Sequence, residues 1–444
     1  MMRTRAYALC LVLLLAGCGR NARLDITAGQ GPAPALPDEH EGLLPTVKVA
    51  RIVGWGRDGA PTPAPGLAVT AFARGLDHPR WLLVLPNGDV LAAESNAPPK
   101  PDDSPGLRGF FQKLFMKRAG GASPSANRIT LLRDADGDGV AETRHVLLTG
   151  LNSPFGMALG PDGRLYVADT DAIRAFPYRA GDTRIAAPGQ RIVVLPAGRI
   201  NHHWTKTILF APDGRTLFAT VGSNSNIAER GMAAEAGRAA IWAIDWRTGR
   251  HRLFASGLRN PSGMAFGPDG RLWTVVNERD ELGGDIVPDY LTSVRDGGFY
   301  GWPWRFWASH VDRRVKAPAP PEAAGAIAPD YALGAHTASL GLVAADGARL
   351  GPRFAHGMII GQHGSWNRNP PSGYRVVFVR FDGARPAAET PVDLLTGFLT
   401  PDGEARGRPV GVAVDRGGGL LVADDAGGAI WRVTEKAAPA LAAR

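Results

Sequence analysis

The feature that most constrains the fold is a strand–turn–strand pattern that occurs six times along the chain. Each copy has a short apolar run, a turn of the Pro-Asp-Gly kind and a second apolar run. Asp-Gly or Asn-Gly between two such runs is the strongest short-range signal for a β-hairpin. The copies occupy residues 82–95, 157–170, 208–222, 264–278, 342–364 and 412–433.

Six hairpins at irregular spacings predict an all-β chain folded as a six-bladed β-propeller with long inserted loops. The high content of turn formers, Gly 57 and Pro 36, agrees with many short strands joined by tight turns. A β-sandwich or two unrelated β-domains is the alternative, but neither explains near-identical turns. Propellers bind ligands on the central axis, where loops from several blades converge. Functional residues should therefore be scattered along the sequence at blade ends.

The first 18 residues have the features of a bacterial lipoprotein signal. Two arginines precede an apolar stretch that is too short for a comfortable membrane span, and Leu15-Ala16-Gly17-Cys18 resembles a lipobox. We expect Cys18 to become the acylated first residue of a periplasmic protein, anchored to the outer membrane of a Gram-negative bacterium. The alternative is an ordinary signal peptide that is cut near Gly17.

Composition then divides the rest of the chain. Residues 19–65 are rich in Pro, Ala and Gly and predict a tether, with one short ordered piece near 47–53. Residues 66–436 form the propeller, and 437–444 form a C-terminal tail. Cys18 would be the only cysteine of the mature chain, which excludes an internal disulfide and a cysteine-based metal site.

The net charge is +8, but its distribution does not indicate a nucleic-acid partner. The arginines are scattered singly through turns, without the basic run or the aromatic-basic stripe of a nucleic-acid site. A small ligand with several negative charges is a better partner for a few converging arginines. No Ser-His-Asp order, P-loop or dinucleotide fingerprint stands out, so a nucleotide cofactor is not expected.

Two motifs stand directly before hairpins, at predicted blade ends. His202 and His203 precede the third hairpin, and from this stretch alone a structural role is the more common one for such histidines. Arg259 and Asn260 precede the fourth hairpin in "LRNPSGMAFGPDG", where a charged side chain needs an ion-pair partner or a ligand. The second hairpin has Asn152 in the place of Arg259, so the turn is common to both blades and the arginine is an addition.

Further candidates flank the last two hairpins. Arg406 and Arg408 precede the sixth hairpin, and on an extended chain two such residues point the same way and suit a carboxylate or a phosphate. Two solvated surface arginines are the alternative. The segment "GQHGSWNRNPP", which follows the fifth hairpin, adds His363 and Arg368.

Two acidic segments are candidates for calcium. The loop after the fourth hairpin offers Glu278 and nearby carboxylates, which are hard oxygen ligands, although a solvated acidic loop is the alternative. Asp134, Asp136 and Asp138 are spaced like the start of a calcium loop. The last ligand position of an EF-hand would fall on His145, so this segment is either another calcium loop or a plain Asp-Gly turn.

From about Leu76 to Val433 the chain resembles the soluble pyrroloquinoline quinone (PQQ) sugar dehydrogenases, the glucose/sorbosone dehydrogenase family. The motifs that carry the resemblance are "LRNPSGMAFGPDGRL", "GGFYGWPW" and the third blade with its histidines, and L-sorbosone dehydrogenase-like members are the most similar. The resemblance implies a six-bladed propeller with PQQ on the axis and Ca²⁺ beside it. It also implies oxidation of a sugar lactol or an aldehyde hydrate, with electrons passing to a periplasmic or membrane acceptor.

The resemblance also implies roles for individual residues. His203 corresponds to the general base, and Arg259, beside Asn260, corresponds to the arginine that contacts the reactive quinone carbonyl. Arg406 and Arg408 correspond to the pair that holds the carboxylates of PQQ. The family binds Ca²⁺ largely through backbone carbonyls of the loop that here contains Glu278 and Arg279, so their side chains need not be ligands.

Two positions depart from the family pattern. Ser223 stands where glucose-oxidising members have an aspartate that supports the histidine, and a serine can orient the imidazole but cannot stabilise its charged form as a carboxylate does. The lysine that contacts PQQ from the fifth blade is missing, and Arg368 or His363 takes its place. The alternative functions are a propeller sugar-lactone lactonase and a non-catalytic binding propeller.

Overall fold

The computed structural model of the chain describes residues 21–39, 47–99, 101 and 123–436. The predicted signal peptide and C-terminal tail lie outside these residues. The described strands are β1 (Gln30–Gly31), β2 (Thr62–Pro63), β3 (Leu67–Arg74), β4 (Pro79–Val84), β5 (Val90–Glu94), β6 (Arg128–Arg133), β7 (Thr143–Leu148), β8 (Met157–Leu159), β9 (Leu165–Ala168), β10 (Ala172–Phe176), β11 (Gln190–Val194), β12 (Ile208–Phe210), β13 (Thr216–Val221), β14 (Ala240–Asp245), β15 (His251–Ser256), β16 (Pro261–Phe266), β17 (Leu272–Val276), β18 (Pro288–Ser293), β19 (Gly298–Phe299), β20 (Arg305–Phe306), β21 (His310–Val311), β22 (Tyr331–Ala335), β23 (Ser339–Ala344), β24 (Gly357–Gln362), β25 (Arg375–Asp382), β26 (Arg385–Pro386), β27 (Val392–Thr396), β28 (Pro409–Val414), β29 (Leu420–Asp424) and β30 (Ala429–Glu435).

Helical structure in the described residues is limited to short 3-10 turns. They are Ile26–Gly29, Met232–Glu235, Pro321–Gly325, Ala345–Gly347 and Pro352–Phe354. In this part of the chain, no helix has the length and apolar character needed to cross a membrane.

The strands form six antiparallel blades, which confirms the six-bladed β-propeller predicted from the hairpins. In order from the axis outwards, the blades are β4–β5–β6–β7, β8–β9–β10–β11, β12–β13–β14–β15, β16–β17–β18–β22, β23–β24–β25–β27 and β28–β29–β30–β3. Each predicted hairpin supplies the first two strands of a blade, where alternating side chains pack between neighbouring blades. The small strands β20 and β21 pair with each other in a long insertion of blade four.

The ring is closed by a strand from the N-terminal side of the propeller. Strand β3 is the outer strand of blade six and pairs antiparallel with β30, with Leu67 opposite Glu435 and Arg74 opposite Ala429. The sixth blade therefore combines three strands from the C-terminal end with one strand that precedes blade one. This pairing joins the two ends of the propeller by backbone hydrogen bonds.

Glycines on or beside the first strands let neighbouring blades approach closely at the axis. A Cβ atom added at these positions would meet the backbone of the next blade: Gly156 at 2.6 Å from the Ile208 nitrogen, Gly263 at 2.6 Å from the Leu342 nitrogen, and Gly411 at 2.7 Å from the Arg80 oxygen. A glycine inside a strand commonly marks such a close backbone approach. This packing explains why a glycine recurs in "SPFGMAL", "NPSGMAF" and "RPVGVAV".

The prediction of a tether over residues 19–65 is wrong for the described parts, 21–39 and 47–65. Strand β1 adds to the outer edge of blade four, where Gln30 pairs with Leu333, and β2 adds to blade five, where Thr62 pairs with Thr396. Trp55 is buried, and its indole N–H donates to Asp424 at 2.6 Å. Composition predicted a solvated segment, but these residues are held by tertiary contacts that composition does not reveal.

The propeller has two distinct ends. Because the first two strands of a blade are antiparallel, the loop leading into the first strand and the loop leaving the second lie at the same end. We call this the loop end, and we call the opposite end, which carries the Pro-Asp-Gly turns, the turn end. All the residues singled out before or after hairpins, including His203, Arg259, His363 and Arg408, belong to loop-end segments.

We expect Gly263→Ala to destabilise the protein by about 1–3 kcal/mol, because the new methyl group would force blades four and five apart. The unfolding midpoint in urea measures the effect. Gly325→Ala is the matched control, since a Cβ at Gly325 would meet nothing within 4 Å. Equal stability of the two variants would contradict the role assigned to the axial glycines.

Candidate active site

His203 lies in the loop before β12 and is oriented by the loop that follows β13. Its Nδ1 lies 2.7 Å from the backbone oxygen of Ser223 and 3.1 Å from the Ser223 hydroxyl. The carbonyl can only accept, so Nδ1 carries the proton and Nε2 has the free lone pair. Burial, and then the nearby Arg259 guanidinium, hold the pKa of His203 well below its ordinary value. His203 is thus a neutral imidazole with a basic Nε2.

Two neighbours fix the backbone around His203. Lys206 is fully buried, and its Nζ donates to the carbonyls of His203 at 3.1 Å and Trp204 at 3.2 Å. Gly222 leaves room for the histidine, because a Cβ there would lie 2.5 Å from the His203 Cβ and would also collide with the Asn260 side chain. His203 and Asn260 therefore approach each other across Gly222.

Arg259 joins the loops of blades three and four. Its backbone oxygen accepts from the Ser223 N–H at 2.7 Å, which places Arg259 directly beside the loop that orients His203. Its guanidinium is buried and donates to the backbone oxygens of Asn226, Asn277 and Glu278, and to the Asn226 side chain. It also forms an ion pair with Asp280 at 3.2 Å.

Asp280 connects Arg259 to blade five through its second oxygen. Asp280 Oδ1 accepts from the Asn367 side chain at 2.8 Å and lies 3.4 Å from His336 Nδ1. His336 Nε2 donates to the Gly283 oxygen at 2.8 Å, so both ring nitrogens face acceptors. These hydrogen bonds and neighbouring cations lower the pKa of Asp280 to about 2 despite its burial. The pKa of His336 is raised, because Asp280 and the Gly283 carbonyl outweigh desolvation.

A second buried group surrounds Asp425, which follows β29 at the loop end of blade six. His363 Nε2 lies 3.1 Å from both of its oxygens, and an Arg80 nitrogen lies 3.2 Å from one of them. Arg408 is buried nearby and donates to the Tyr374 hydroxyl at 2.9 Å. The charges of His363, Arg80 and Arg408 hold the pKa of Asp425 far below its ordinary value, against the effect of burial.

An aromatic layer connects the two groups. The Arg80 guanidinium stacks on the Trp204 ring at 5.5 Å, and Trp204 directly follows His203. Trp204 packs edge-on against Phe155 at 6.0 Å, and Phe155 packs against Trp81 at 4.8 Å. The His203 loop and the Asp425 group thus share one apolar floor, formed by blades one to three.

Several polar atoms at this end have no partner among the described residues. The buried Nε–H of Arg408 donates no hydrogen bond, and the buried Oδ1 of Asn260 accepts none. The half-buried Arg406 side chain makes no ion pair with the described residues. Buried polar atoms without partners point to a ligand that binds at this end. A cofactor with several carboxylates and carbonyl oxygens has the chemistry to satisfy the two arginines. The backbone bends at Arg406, so the alternation of an extended strand does not fix where the Arg406 and Arg408 side chains point.

Other expected site residues have different roles. Arg368 does not join His363: its guanidinium donates to the Gly284 and Pro370 oxygens and pairs with Asp285 at 3.3 Å. These contacts place Arg368 in a different group from His363, which belongs to the Asp425 group, and the assignment of Arg368 to the cofactor site stays a prediction.

The side chains of Glu278 and Arg279, in the loop where calcium was expected, form ion pairs within the protein. The backbone oxygen of Glu278 accepts a hydrogen bond from Arg259 at 2.6 Å, and the Glu278 carboxylate pairs with Arg279 at 3.0 Å. The fully buried Arg279 guanidinium then bridges to Asp312 at 3.1 Å and anchors the insertion of blade four. The side chains of Glu278 and Arg279 are thus bound to each other and to Asp312, and a calcium site in this loop stays a prediction.

The acidic turn of blade one lies between its outer strands, β6 and β7. Oxygens of Asp134, Asp136, Asp138 and Glu142 lie within 4.8 Å of one another, and they form the one such group of potential metal ligands in the described residues. The sequence pattern identified the three aspartates but not Glu142. These carboxylates also accept backbone N–H groups of their own turn, for example that of Gly137 at 2.7 Å.

The sequence did not identify Arg80, Asp280, His336 and Asp425 as site residues. Arg80 in "HPRWLL" stands before the first hairpin much as Arg259 stands before the fourth, so comparing these segments would have revealed it. Asp280 is visible only as one of several loop carboxylates. His336 and Asp425 carry no sequence signal, because their partners come from other blades.

The fold and site define the class of protein: a β-propeller with a basic site at the axial end of its blades. A model of the TrAA12-like family matches residues 125–288 and 322–436, more than half of the chain. The chain therefore belongs to the TrAA12-like family. This result confirms the resemblance to PQQ-dependent sugar dehydrogenases that the motifs indicated.

A curated relative and two solved structures are similar to this chain over most of its length. The PQQ-dependent pyranose dehydrogenase of Coprinopsis cinerea is 23% identical over an alignment of 370 residues, and the alignment covers 72% of this chain but only 46% of that protein. A calcium structure of the Trichoderma reesei family AA12 enzyme has a TM-score of 0.67 and 19% identity, covering 88% of this chain and 99% of that one. The holo PQQ domain of the Coprinopsis enzyme has a TM-score of 0.66 and 20% identity, covering 87% and 100%. At these identities the structural likeness shows a shared fold.

The half-buried His203 and the buried His336 should have opposite effects on how stability depends on pH. The lowered pKa of His203 means that only the unfolded state gains a proton as pH falls below about 6.5, so stability falls there. The raised pKa of His336 means that its contribution is complete below about 6.5 and is lost as pH rises through the folded value. We expect His203→Gln to reduce the loss of stability in acid and His336→Gln to reduce the loss in base. Unfolding midpoints from about pH 5 to about pH 8.5 measure both effects. Identical profiles for the two variants would contradict the assigned protonation states.

Proposed function

We propose that the protein is a quinoprotein dehydrogenase that oxidises a sugar lactol or an aldehyde hydrate with PQQ as its cofactor. The observation that carries this proposal is the pairing of a neutral, carbonyl-oriented His203 with the cationic loop of Arg259. Family membership and the names of the relatives support the same chemistry. The decisive test is reconstitution with PQQ and Ca²⁺, followed by dye reduction with aldoses, sorbosone and simple aldehydes. No turnover and no cofactor spectrum with any of them would overturn the proposal.

The cofactor would be held by the cationic residues at the loop end. Arg406 and Arg408 provide guanidinium groups for carboxylates, and Asn260 provides an unpaired amide oxygen. Arg259 is anchored by Asp280, which keeps its guanidinium in one position. PQQ, when bound, supplies a quinone that accepts a hydride from the substrate. His363 stays beside this site through Asp425.

His203 would act as the general base. Its Nδ1–H is fixed by the Ser223 carbonyl, so Nε2 is the atom that accepts a proton from the substrate hydroxyl. Burial, and then Arg259, disfavour the charged imidazolium, so His203 is unprotonated at neutral pH and its Nε2 lone pair is available to the substrate hydroxyl. Loss of this proton and a hydride converts a lactol to a lactone or an aldehyde hydrate to an acid.

The surroundings of the enzyme form the second part of the proposal. The lipobox favours a periplasmic protein held on the membrane by a lipid at Cys18, with a periplasmic or membrane electron acceptor. Calcium beside the cofactor stays a prediction, as does calcium in the turn of Asp134. The lactonase alternative is not favoured by the group of carboxylates described above, because that group lies in the turn between the two outer strands of blade one and not at the loop end.

We expect His203→Ala to lower kcat by about a hundredfold or more while PQQ still binds, since general bases contribute on this scale. Dye reduction and cofactor titration measure the two properties. His251→Ala is the control, because His251 lies on the outer strand β15, away from the loop end, where its ring stacks on that of Trp242. Loss of activity in His202→Ala rather than in His203→Ala would show that the wrong histidine had been assigned.

We expect Arg406→Ala to weaken PQQ binding about tenfold to a hundredfold, the value of a charge-assisted hydrogen bond. Titration of the apoprotein with PQQ provides the measurement. Arg416→Ala is the matched control, because Arg416 is exposed at the turn end of the same blade. Equal affinities of the two variants would remove Arg406 from the cofactor site.

A further inference from the structure

We propose that the N-terminal segment holds the loop end of the propeller, with the active site, against the surface of the membrane. This inference rests on the lipid anchor at Cys18 that forms part of the proposed function. It goes beyond that anchor, because a lipid on a flexible tether would let either end of the propeller face the membrane. The contacts of residues 21–26 instead fix the chain at one end of the propeller.

The first described residues are bound to the loop that follows β24. The N–H groups of Asn21 and Ala22 both donate to the Asn369 oxygen at 3.2 Å. The Asn369 N–H donates back to the Asn21 side chain at 2.7 Å, and the Asn21 amide donates to the Asn367 oxygen at 3.0 Å. Ala22 is buried, so this contact is a packed junction and not a loose surface encounter.

The next residues are bound to the loop that follows β17. The N–H groups of Arg23 and Leu24 donate to Asp285 Oδ2 at 2.6 and 3.1 Å. The other oxygen of Asp285 pairs with Arg368, which also donates to the Leu24 oxygen at 3.4 Å. Blades four and five thus hold the segment together, and the buried Arg368 forms part of this junction.

This junction lies next to the candidate active site. Asn367, whose backbone oxygen binds Asn21, donates from its side chain to Asp280 at 2.8 Å. Asp280 in turn pairs with Arg259. Two side chains therefore separate the first described residue from the arginine beside His203.

The distance to the lipid is limited by chain length. Asn21 follows Cys18 by three residues, and three residues span at most about 10 Å even when fully extended. An acyl group on Cys18 would therefore keep the loop end within about one headgroup layer of the bilayer. The turn end lies on the far side of the propeller.

The loop end also carries side chains suited to a lipid headgroup region. Trp366, one residue before Asn367, is 38% exposed and is the one aromatic among the exposed large hydrophobic residues described. Its backbone oxygen accepts from the N–H of Lys48, an exposed residue. Tryptophan and lysine are the residue types that settle at a membrane interface.

The test compares two labels on the lipidated protein in vesicles of phosphatidylethanolamine and phosphatidylglycerol that contain a headgroup quencher. Lys48→Cys places a fluorophore at the loop end, and Pro212→Cys places one in the exposed turn of blade three at the turn end. The remaining mature cysteine, Cys18, is blocked by the lipid. We expect quenching at position 48 to exceed that at position 212 several-fold. Equal quenching, or stronger quenching at 212, would overturn the proposal.

A spacer variant separates the orientation from the anchor. Insertion of about 20 Gly/Ser residues between Gly19 and Arg20 adds a flexible span of about 25 Å without changing the junction. We expect this variant to stay in the membrane fraction but to lose the difference between the two labels. A difference that survives the spacer would overturn the proposal, and so would membrane binding that persists in Cys18→Ser. Dye reduction by the same samples reports the proposed oxidation separately, so a protein that is oriented but inactive would contradict only the proposed function.

Discussion

The arrangement of the active site depends on one buried guanidinium, that of Arg259. A buried cation is tolerable only when hydrogen bonds and an opposite charge replace its water. Here the acceptors come from the loops after β13 and β17, and the opposite charge is Asp280. Because Asp280 is also bound by Asn367 and His336, the same network extends into blade five. Three blades are thereby held in one mutual position at the loop end.

The balance of charge at this end favours an anionic ligand. Arg259, Arg406, Arg408 and Arg80 are cationic, and the raised pKa of His336 adds a further positive charge. Asp280 and Asp425 are the opposing carboxylates of the two groups, and each is already shared among several cations. Burial is the main reason why His203 stays neutral, and the field of Arg259 adds to it. The same positive field would favour a polycarboxylate such as the proposed PQQ over a neutral cofactor. One electrostatic arrangement therefore serves both the base and the proposed cofactor.

The sequence predicted what is encoded locally and missed what depends on distant contacts. The six hairpins were predictable because Asp-Gly turns determine their own geometry. The strand β3 was not, since its partner β30 lies at the other end of the propeller sequence and no local signal connects them. The burial of Trp55 and the strand β1 were not predicted for the same reason. Both lie in a Pro- and Gly-rich segment that is held by the blades it contacts. His203 and Arg259 could be proposed as site residues because they stand before repeated hairpins in motifs that resemble a known family, whereas His336 and Asp425 stand outside any repeated pattern.

The serine at position 223 changes how the base is supported. Its carbonyl fixes the tautomer of His203, as a carboxylate would, but it carries no full charge to stabilise the imidazolium that proton transfer creates. The carboxylate that favours the charged form of His203 is instead Asp280, which acts from a greater distance and is shared with Arg259 and His336. The nearby Arg259 acts in the opposite direction and more strongly, so the imidazolium is a short-lived, high-energy state in this site. A base in such surroundings stays deprotonated down to acidic pH, so Nε2 of His203 would be free to accept the hydroxyl proton while the hydride leaves the carbon that bears this hydroxyl.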